Sequence, residues 1–383
     1  MKKKVLIIGL INNFGGREIE VRNIIEALIK NYDIRVFSLL NMSSDSMAVK
    51  DLHCISSNVF KEIYRSNLMI KVCSKLSRAY NNSKQPNYYF VNNKLSNFFF
   101  SLEDKKRNIV RREISNADIV MFNGVLESSL LNEIISYCDR MNKPIIIRST
   151  GEIKLINDGL KSLLPKVSSI LIHSKSYLSK FITSSKNNIV FLDQTTLMET
   201  ELLHIPIYNR NKVTYGYLGR FSSEKGIIEL VNIFKELDAK LIIAGSGPLL
   251  KNVKNSMSGN CVLLGEISQK GIVDFFDQID VLIIPSMEEA GPLVGIEAMA
   301  AGKIIFSTRV GAMEERMKST KNDFWFDIHS ESTFLDLVNR LQSLTPEEIL
   351  EIRFLNRLKY QNYFSQKIIS DQYLRVLDKV FTS

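Results

Sequence analysis

Short, almost wholly apolar runs alternate along this chain with longer segments in which apolar residues recur every three or four positions. KVLIIGL has the first pattern and predicts a strand. REIEVRNIIEALIK has the second, with Val21, Ile24, Ile25 and Leu28 on one helical face. IRVFSL, DIVMFNG, PIIIRST, SSILIHS and NIVFLD follow as strands, with helices expected near 126–140 and 176–182. Runs so uniformly apolar predict parallel strands buried on both faces. The pattern restarts at KVTYGYLGR. GIIELVNIFKEL places Ile227, Leu230, Val231, Phe234 and Leu237 on one helix face, and KLIIAGS, CVLLGE, VLIIPS and KIIFST are the next strands. The last forty residues read as helical. LLHIPIYNRNK, residues 202–212, carries a proline and no period, and reads as a hinge. Two α/β domains are therefore expected, 1–204 and 205–365, each a Rossmann-like parallel sheet, facing a central cleft. A helix at 366–383 is expected to pack back on the first domain. No internal repeat is visible.

Composition supports this picture. A chain of 383 residues with 45% apolar content can bury two sizeable cores. The four cysteines show no metal or disulfide spacing, which fits a reducing compartment. MKKKVLIIGL resembles a secretion signal in its lysines, but its apolar run is short and no small-residue cleavage site follows, so it reads as a strand. No apolar run is long enough for a membrane span. A cytoplasmic protein is expected.

Charge changes the picture in one place. The chain carries +9, and residues 58–112 hold twelve Lys or Arg against three Asp or Glu. Aromatics, in YYFV at 88–91 and FFF at 98–100, share that segment. Basic and aromatic residues together suit an anionic surface, a bilayer or a lipid-linked acceptor, with a peripheral seat at the inner face of a membrane. The alternative is a solvated helical insertion whose aromatics belong to the core. No nucleic-acid-binding module is recognisable, and no nucleic-acid partner is expected.

The candidate chemistry centres on MEEAGPLVGIEAMAAGK, residues 287–303. Glu289 and Glu297 flank a strand-to-helix turn. Gly291 lets backbone approach a ligand, Pro292 fits the first helical position, and Gly302 ends the helix. The helix N-terminus suits an anion, yet two carboxylates stand beside it. Carboxylates accept hydrogen bonds from vicinal hydroxyls. A ligand with sugar at both ends and phosphate between them, a nucleotide sugar, satisfies both demands. LGRFSSEKG adds Arg220 and Lys225 for the diphosphate. A dinucleotide-binding reading fails because Leu250 stands where the third glycine after Gly245 and Gly247 belongs. A P-loop reading fails because Glu297 holds the first glycine position before Gly302-Lys303.

GR…EKG (219–226), IAGSGPL, LLGEIS, IIPSMEEAGPLVGIEAMAAGK and VGAMEE stand in this order between residues 213 and 315. In these motifs the chain resembles the C-terminal domain of the retaining glycosyltransferases of family four, which have the GT-B fold. FGGREIEV resembles that family's glycine-rich first loop. The resemblance implies that Glu289 contacts donor-sugar hydroxyls at the reacting face and that Glu297 holds the ribose. It assigns the diphosphate to Arg220 and Lys225. The backbone of Gly291, Pro292, Leu293 and Val294 would line the sugar-phosphate. Gly265, Glu266 and Ile267 would border the base, and Gly15 and Gly16 would approach the phosphate. Catalysis would rest on Glu289, Arg220 and Lys225. The implied reaction moves a hexose, with retention, from a UDP- or GDP-sugar, UDP foremost, to a lipid-linked oligosaccharide in capsule or O-antigen type synthesis, with no metal and no cofactor. The chain departs from the family where a histidine often follows PIIIRST. Ser149, Thr150, Gly151 and Glu152 stand there, leaving Glu152 or His173 as replacements. Gly311-Ala312 stands where two glycines are usual. A catalytically silent nucleotide-sugar-binding scaffold is the alternative, against which the intact Glu289, Glu297, Arg220 and Lys225 speak.

Overall fold

The computed structural model describes residues 2–154, 156–181, 188–210 and 212–382. The chain forms two units. The first takes residues 1–172, 177–192 and the C-terminal stretch from 370; the second takes 173–176 and 193–369. Both are parallel sheets covered by helices, as the apolar runs require.

The first unit has seven strands in the order β3-β2-β1-β4-β5-β6-β7. They are β1 Lys4–Gly9, β2 Asp33–Ser38, β3 Ile55–Asn58, β4 Ile119–Gly124, β5 Ile145–Ser149, β6 Ser169–Ile172 and β7 Ile189–Phe191. β1 lies between β2 and β4, with Val5 paired to both Ile34 and Ile119. β3 escapes the hydrophobic pattern: its sequence is ISSN, and as an edge strand it pairs on one side only. The helix expected near 126–140 is Leu131–Arg140. Near 176–182 the chain makes a 3-10 helix, Lys175–Phe181, and residue 182 lies outside the described residues.

Residues 58–112 supply four helices, Val59–Ser66, Leu68–Tyr80, Lys94–Phe99 and Leu102–Ser115. Asn58, Asn67 and Asn93 cap three of them by accepting backbone N–H bonds with their side chains. Ile63, Ile70, Val91, Leu102 and Ile114 enter the unit's core, and Tyr88 and Phe100 pack against it. Phe98 and Phe99 stay exposed. The aromatics thus divide: one part is core, the other is surface.

The C-terminal helix, Gln366–Thr382, joins the first unit from Ser370 onward. Tyr32 donates to Asp378 at 3.0 Å and stacks on Phe381. Beneath it lies a buried ion pair, Arg148 of β5 with Glu20 of the helix Gly16–Leu28, and Tyr373 donates to Glu20 at 3.3 Å. A buried charge pair is tolerated only with its remaining groups satisfied. Arg148 also donates to the Leu192 carbonyl at 2.5 Å.

The second unit has five strands in the order β10-β9-β8-β11-β12. They are β8 Thr214–Leu218, β9 Lys240–Ala244, β10 Cys261–Gly265, β11 Val281–Ile284 and β12 Ile304–Ser307. Alternation along the strands fills two layers. Tyr215, Tyr217, Leu241, Ile243, Val281, Ile283, Ile304 and Phe306 face one set of helices. Ile242, Ala244, Leu282, Ile284 and Ile305 face the other.

The division between units falls at 192/193 and not at 204/205. The reason is burial. Leu202 and Ile205 enter the second unit's core beside Phe275 and Ile296, and Thr196 hydrogen-bonds Glu297. The stretch 202–212 is thus anchored at its start, and residue 211 lies outside the described residues. Among the described residues no helix is long and apolar enough to cross a membrane.

Candidate functional site

In the second unit the motif residues gather at the carboxyl ends of the strands, around the switch point where β8 and β11 run side by side. Ligands of parallel α/β sheets collect there. An open cavity of about 1040 Å³ lies elsewhere, at the amino ends of β1 to β3 in the first unit. The rule for parallel sheets favours the strand carboxyl ends over it.

Backbone contacts hold the loops together. Gly226 has φ 63° and would place a Cβ 2.1 Å from the Pro285 carbonyl oxygen. Only glycine lets the loop after β8 sit so close to the end of β11. The Met287 N–H then donates to the Glu224 carbonyl at 2.8 Å. On the other side Gly311 has φ 53°, and a Cβ there would lie 2.3 Å from the Ala290 carbonyl oxygen. The Ala312 N–H donates to that same carbonyl at 3.0 Å. The glutamate-bearing loop is clamped from both flanks.

Within this frame Lys225 donates its ammonium directly to Glu289, and both side chains are half-buried. Arg220 opens the same loop with its side chain exposed. Its carbonyl accepts from the Tyr217 hydroxyl at 2.9 Å. Burial, and then the Glu289 and Glu224 carboxylates, push the Tyr217 phenol far above its ordinary pKa. That phenol remains a neutral donor.

Pro292 sits one place earlier than expected. It is the N-cap residue, and the helix runs Leu293–Ala300. Its first turn has no side-chain cap, so Leu293 and Val294 open a bare helix end. Glu297, one turn on, is buried and accepts from the Thr196 hydroxyl at 3.3 Å. Burial pushes its carboxyl up to about 8. The two glutamates are therefore unlike: Glu289 is ion-paired, whereas Glu297 is neutral at pH 7. Gly265 ends β10 with φ 74° and open space where a Cβ would stand. Glu266 is exposed, and Ile267 packs on the core.

Behind the loop lies a cluster of which the sequence named only His173. Asp193, just after β7, receives two bonds from Arg316, Nε to Oδ2 at 2.9 Å and Nη2 to Oδ1 at 2.6 Å. Arg316 also donates to the Pro292 carbonyl at 2.5 Å, and the Gln194 amide donates to the Gly291 carbonyl. Burial alone would raise the Asp193 carboxyl, but the Arg316 and His173 partners hold it below the usual carboxylate range. His173 is buried with Nδ1 3.5 Å from Asp193 Oδ1. A Cβ on Gly291 would meet Arg316 at 2.7 Å and His173 at 3.3 Å. His173 thus stands directly behind the Gly291 turn. The only local signals were a polar residue ending a strand and an arginine on a short helix.

In the first unit Gly15, φ 137°, caps the helix Gly16–Leu28. Glu18 in its first turn is buried and accepts from the Asn12 N–H at 2.6 Å. Arg17 donates to the Thr150 hydroxyl and the Leu10 carbonyl. Glu152 faces Lys154 at 4.0 Å. At the carboxyl ends of β4 and β5, Asn123 and Ser149 bury polar side-chain atoms that lack a hydrogen-bond partner among the described residues.

Residues 204–353 match the family model of glycosyl transferases group 1. The match lies within the second unit, which is thus similar to the group 1 glycosyl transferases. Relatives by sequence agree. The chain is 31% identical over 114 residues to an uncharacterised glycosyltransferase of Methanocaldococcus jannaschii, covering 28% of this chain and 32% of that one. It is 32% identical over 117 residues to lipopolysaccharide 1,2-N-acetylglucosaminetransferase of Salmonella typhimurium, covering 26% and 31%. It is 27% identical over 205 residues to the capsular polysaccharide biosynthesis glycosyltransferase CapM of Staphylococcus aureus, covering 49% and 52%. The alignments thus span about a third to a half of these relatives. By structure the likeness runs the whole length. Anabaena HepE, solved with UDP and glucose, gives a TM-score of 0.71 at 13% identity over 98% of this chain and 99% of that one. Sucrose-phosphate synthase of Thermosynechococcus elongatus gives 0.70 at 15% identity over 100% of both. At such identities the likeness is one of fold, and the fold is GT-B. The motifs between residues 213 and 315 all lie inside the matched stretch 204–353, and FGGREIEV lies outside it.

Proposed function

We propose that the chain is a retaining glycosyltransferase that transfers a hexose from a UDP-sugar, or another nucleotide diphosphate sugar, to a lipid-linked oligosaccharide. The observation that carries this is the Lys225–Glu289 pair at the β8–β11 switch point, beside the bare N-terminus of Leu293–Ala300. Before the donor binds, Lys225 neutralises Glu289. When a diphosphate enters, the ammonium and the Arg220 guanidinium have an anion to grip, and the helix end adds its N–H groups. Glu289 is then left to accept hydrogen bonds from donor-sugar hydroxyls.

In the proposed step the bond from the anomeric carbon to the diphosphate oxygen breaks. The acceptor oxygen bonds that carbon on the same face. The departing phosphate oxygen takes the acceptor's proton, so charge accumulates on the diphosphate, where Arg220 and Lys225 stabilise it. Donors aimed at developing charge are worth about 3–4 kcal/mol each. The step is written without metal or cofactor. Glu297 would hold the ribose, Gly265 to Ile267 would border the base, and Gly15 and Gly16 would approach phosphate. The names of the CapM and Salmonella relatives support a role in surface polysaccharide assembly. Four free thiols support a cytoplasmic setting.

The test is thermal unfolding against UDP, GDP, ADP and CMP, with Arg220→Ala alongside. A nucleotide at a hundred times its Kd should add about 2.7 kcal/mol of stability. One nucleotide should stabilise the wild type and fail on the variant. UDP release from the UDP-sugar only when acceptor is present would separate an enzyme from a silent binder. Equal response of wild type and variant to every nucleotide would sink the assignment.

A further inference from the structure

The helix Leu68–Tyr80 shows an unusual surface. Ile70, Cys73 and Ser74 face the core. Leu68, Met69, Val72, Leu76 and Tyr80 form an apolar stripe that faces outward, with Leu68 at 76% exposure and Tyr80 at 92%. The stripe follows the four-residue spacing of one helical face. The helix Lys94–Phe99 packs against this helix and adds exposed Leu95, Phe98 and Phe99, with Phe98 at 82%. Exposed apolar side chains collected on one face mark an interaction site.

The charges around the stripe are of one sign. Residues 63–102 contain Arg65, Lys71, Lys75, Arg78, Lys84 and Lys94 and no Asp or Glu; of these, Arg65 reaches back to Glu62 at 3.6 Å. Lys71, Lys75 and Arg78 border the stripe on one flank of the helix, and Lys75, Lys84 and Lys94 are exposed. The neighbouring cations at 105–112 are different. Lys106 pairs with Glu103, Arg107 with Asp104 and Glu133, and Arg112 with Glu62 and Glu113. Their charge is largely answered within the protein, so the expectation for 58–112 narrows to 68–99.

We propose that the exposed face formed by Leu68–Tyr80 and Lys94–Phe99 docks on an anionic lipid bilayer, with Leu68, Leu76 and Phe98 entering the headgroup boundary. An interfacial helix of this kind needs an apolar side, basic flanks and an anionic surface. The apolar side chains match a boundary layer about 5–10 Å deep. A second copy of the chain is the poorer occupant. A symmetric contact would set Lys71, Lys75, Arg78, Lys84 and Lys94 against themselves, and residues 63–102 hold no acid to place between them. The proposal does not depend on which donor the second unit takes.

The test uses the full chain and co-sedimentation with vesicles of phosphatidylcholine alone and of phosphatidylcholine mixed with phosphatidylglycerol. The wild type should partition to the mixed vesicles, weakly to the neutral ones, and less as salt rises. Leu76→Asp with Phe98→Asp should lower that partition about tenfold or more. Lys75→Gln with Lys94→Gln should lower it about tenfold. Lys106→Gln with Arg107→Gln should bind as the wild type does. Lys75, Leu76, Lys94 and Phe98 are exposed, so the melting temperatures of the first two variants should hold. Undiminished binding by the Leu76/Phe98 variant, or equal binding to both vesicle types, overturns the proposal. So does sedimentation velocity showing a wild-type dimer that this variant turns into a monomer, because the face would then be self-associating. UDP-induced stabilisation, read on the same proteins, reports separately on the second unit.

Discussion

Arg316 and Asp193, 123 residues apart in sequence, meet in a two-pronged hydrogen-bonded ion pair behind the Gly291–Pro292 turn. The third prong of Arg316 reaches the Pro292 carbonyl. Holding that carbonyl inward leaves the next N–H groups directed outward, where an anion can meet them. The pair therefore holds the turn that opens the helix Leu293–Ala300. Arg316→Ala should cost roughly 3–5 kcal/mol, because it strands a buried carboxylate. Arg316→Met with Asp193→Leu should recover much of that stability yet leave nucleotide affinity low. Melting temperature and nucleotide titration on the same variants separate the two effects; recovery of both would remove the positioning role.

Asp193 also gives an acid limit. Its folded pKa lies below the unfolded value, so its contribution is present above the ordinary carboxylate pKa and is lost as pH falls through the folded one. Stability should drop on acidification toward pH 3 and below more steeply in the wild type than in the Arg316→Met, Asp193→Leu variant. Parallel denaturation curves would show that the pair carries no such linkage.

Glu297 works in the opposite sense. Its folded pKa of about 8 exceeds the unfolded value, so the folded state holds an extra proton between about 4.5 and 8. Stability contributed by the neutral acid is full below this window and falls as pH rises through it. Lys303, pulled down to about 7 by burial, contributes oppositely above that pH. The comparison with Glu297→Gln removes this confound: from pH 5 to 9 the wild type should lose melting temperature relative to the variant. Ribose hydroxyls donating to the carboxylate would favour its charged form. Nucleotide binding near pH 7 should then release a proton, visible as buffer-dependent heat in calorimetry. Glu297→Ala should weaken nucleotide binding.

Glu289→Ala should leave nucleotide affinity near wild type and reduce turnover by about a hundredfold or more. Lys225→Ala should weaken both, since it loses the diphosphate contact and strands Glu289. Steady-state kinetics with nucleotide titrations measures the split, and an active Glu289→Ala enzyme would exclude its place at the reacting sugar.

Glycines separate clamp from approach. Gly226→Ala forces a Cβ against the Pro285 carbonyl at positive φ and should destabilise the second unit by about 1–3 kcal/mol. Gly16→Ala meets no atom within 4 Å and should fold normally. Under the reading that Gly16 approaches phosphate, its activity should nonetheless fall. Full activity in Gly16→Ala would confine that loop to an ordinary turn.

Local pattern determined the sheets. β1, β4, β9, β11 and β12 are buried on both faces, and such runs are legible because burial on two sides leaves no polar alternation. The strand-end loops were legible too, because glycine, proline and charge at strand-to-helix turns are local requirements of backbone geometry. The tertiary structure decided what depends on residues distant in sequence. β3 exists because β2 offers it an edge, not because ISSN is apolar. Leu202 and Ile205 anchor the stretch that composition marks as a hinge, since a helical core lies beside them. Asp193 with Arg316, and the burial that keeps Glu297 neutral, arise only when the chain closes. So does the sorting of the cations of 58–112 into paired and unpaired, because charge pairing is a matter of distance in space. Composition reports how many charges a segment holds; the fold decides which of them remain for a partner.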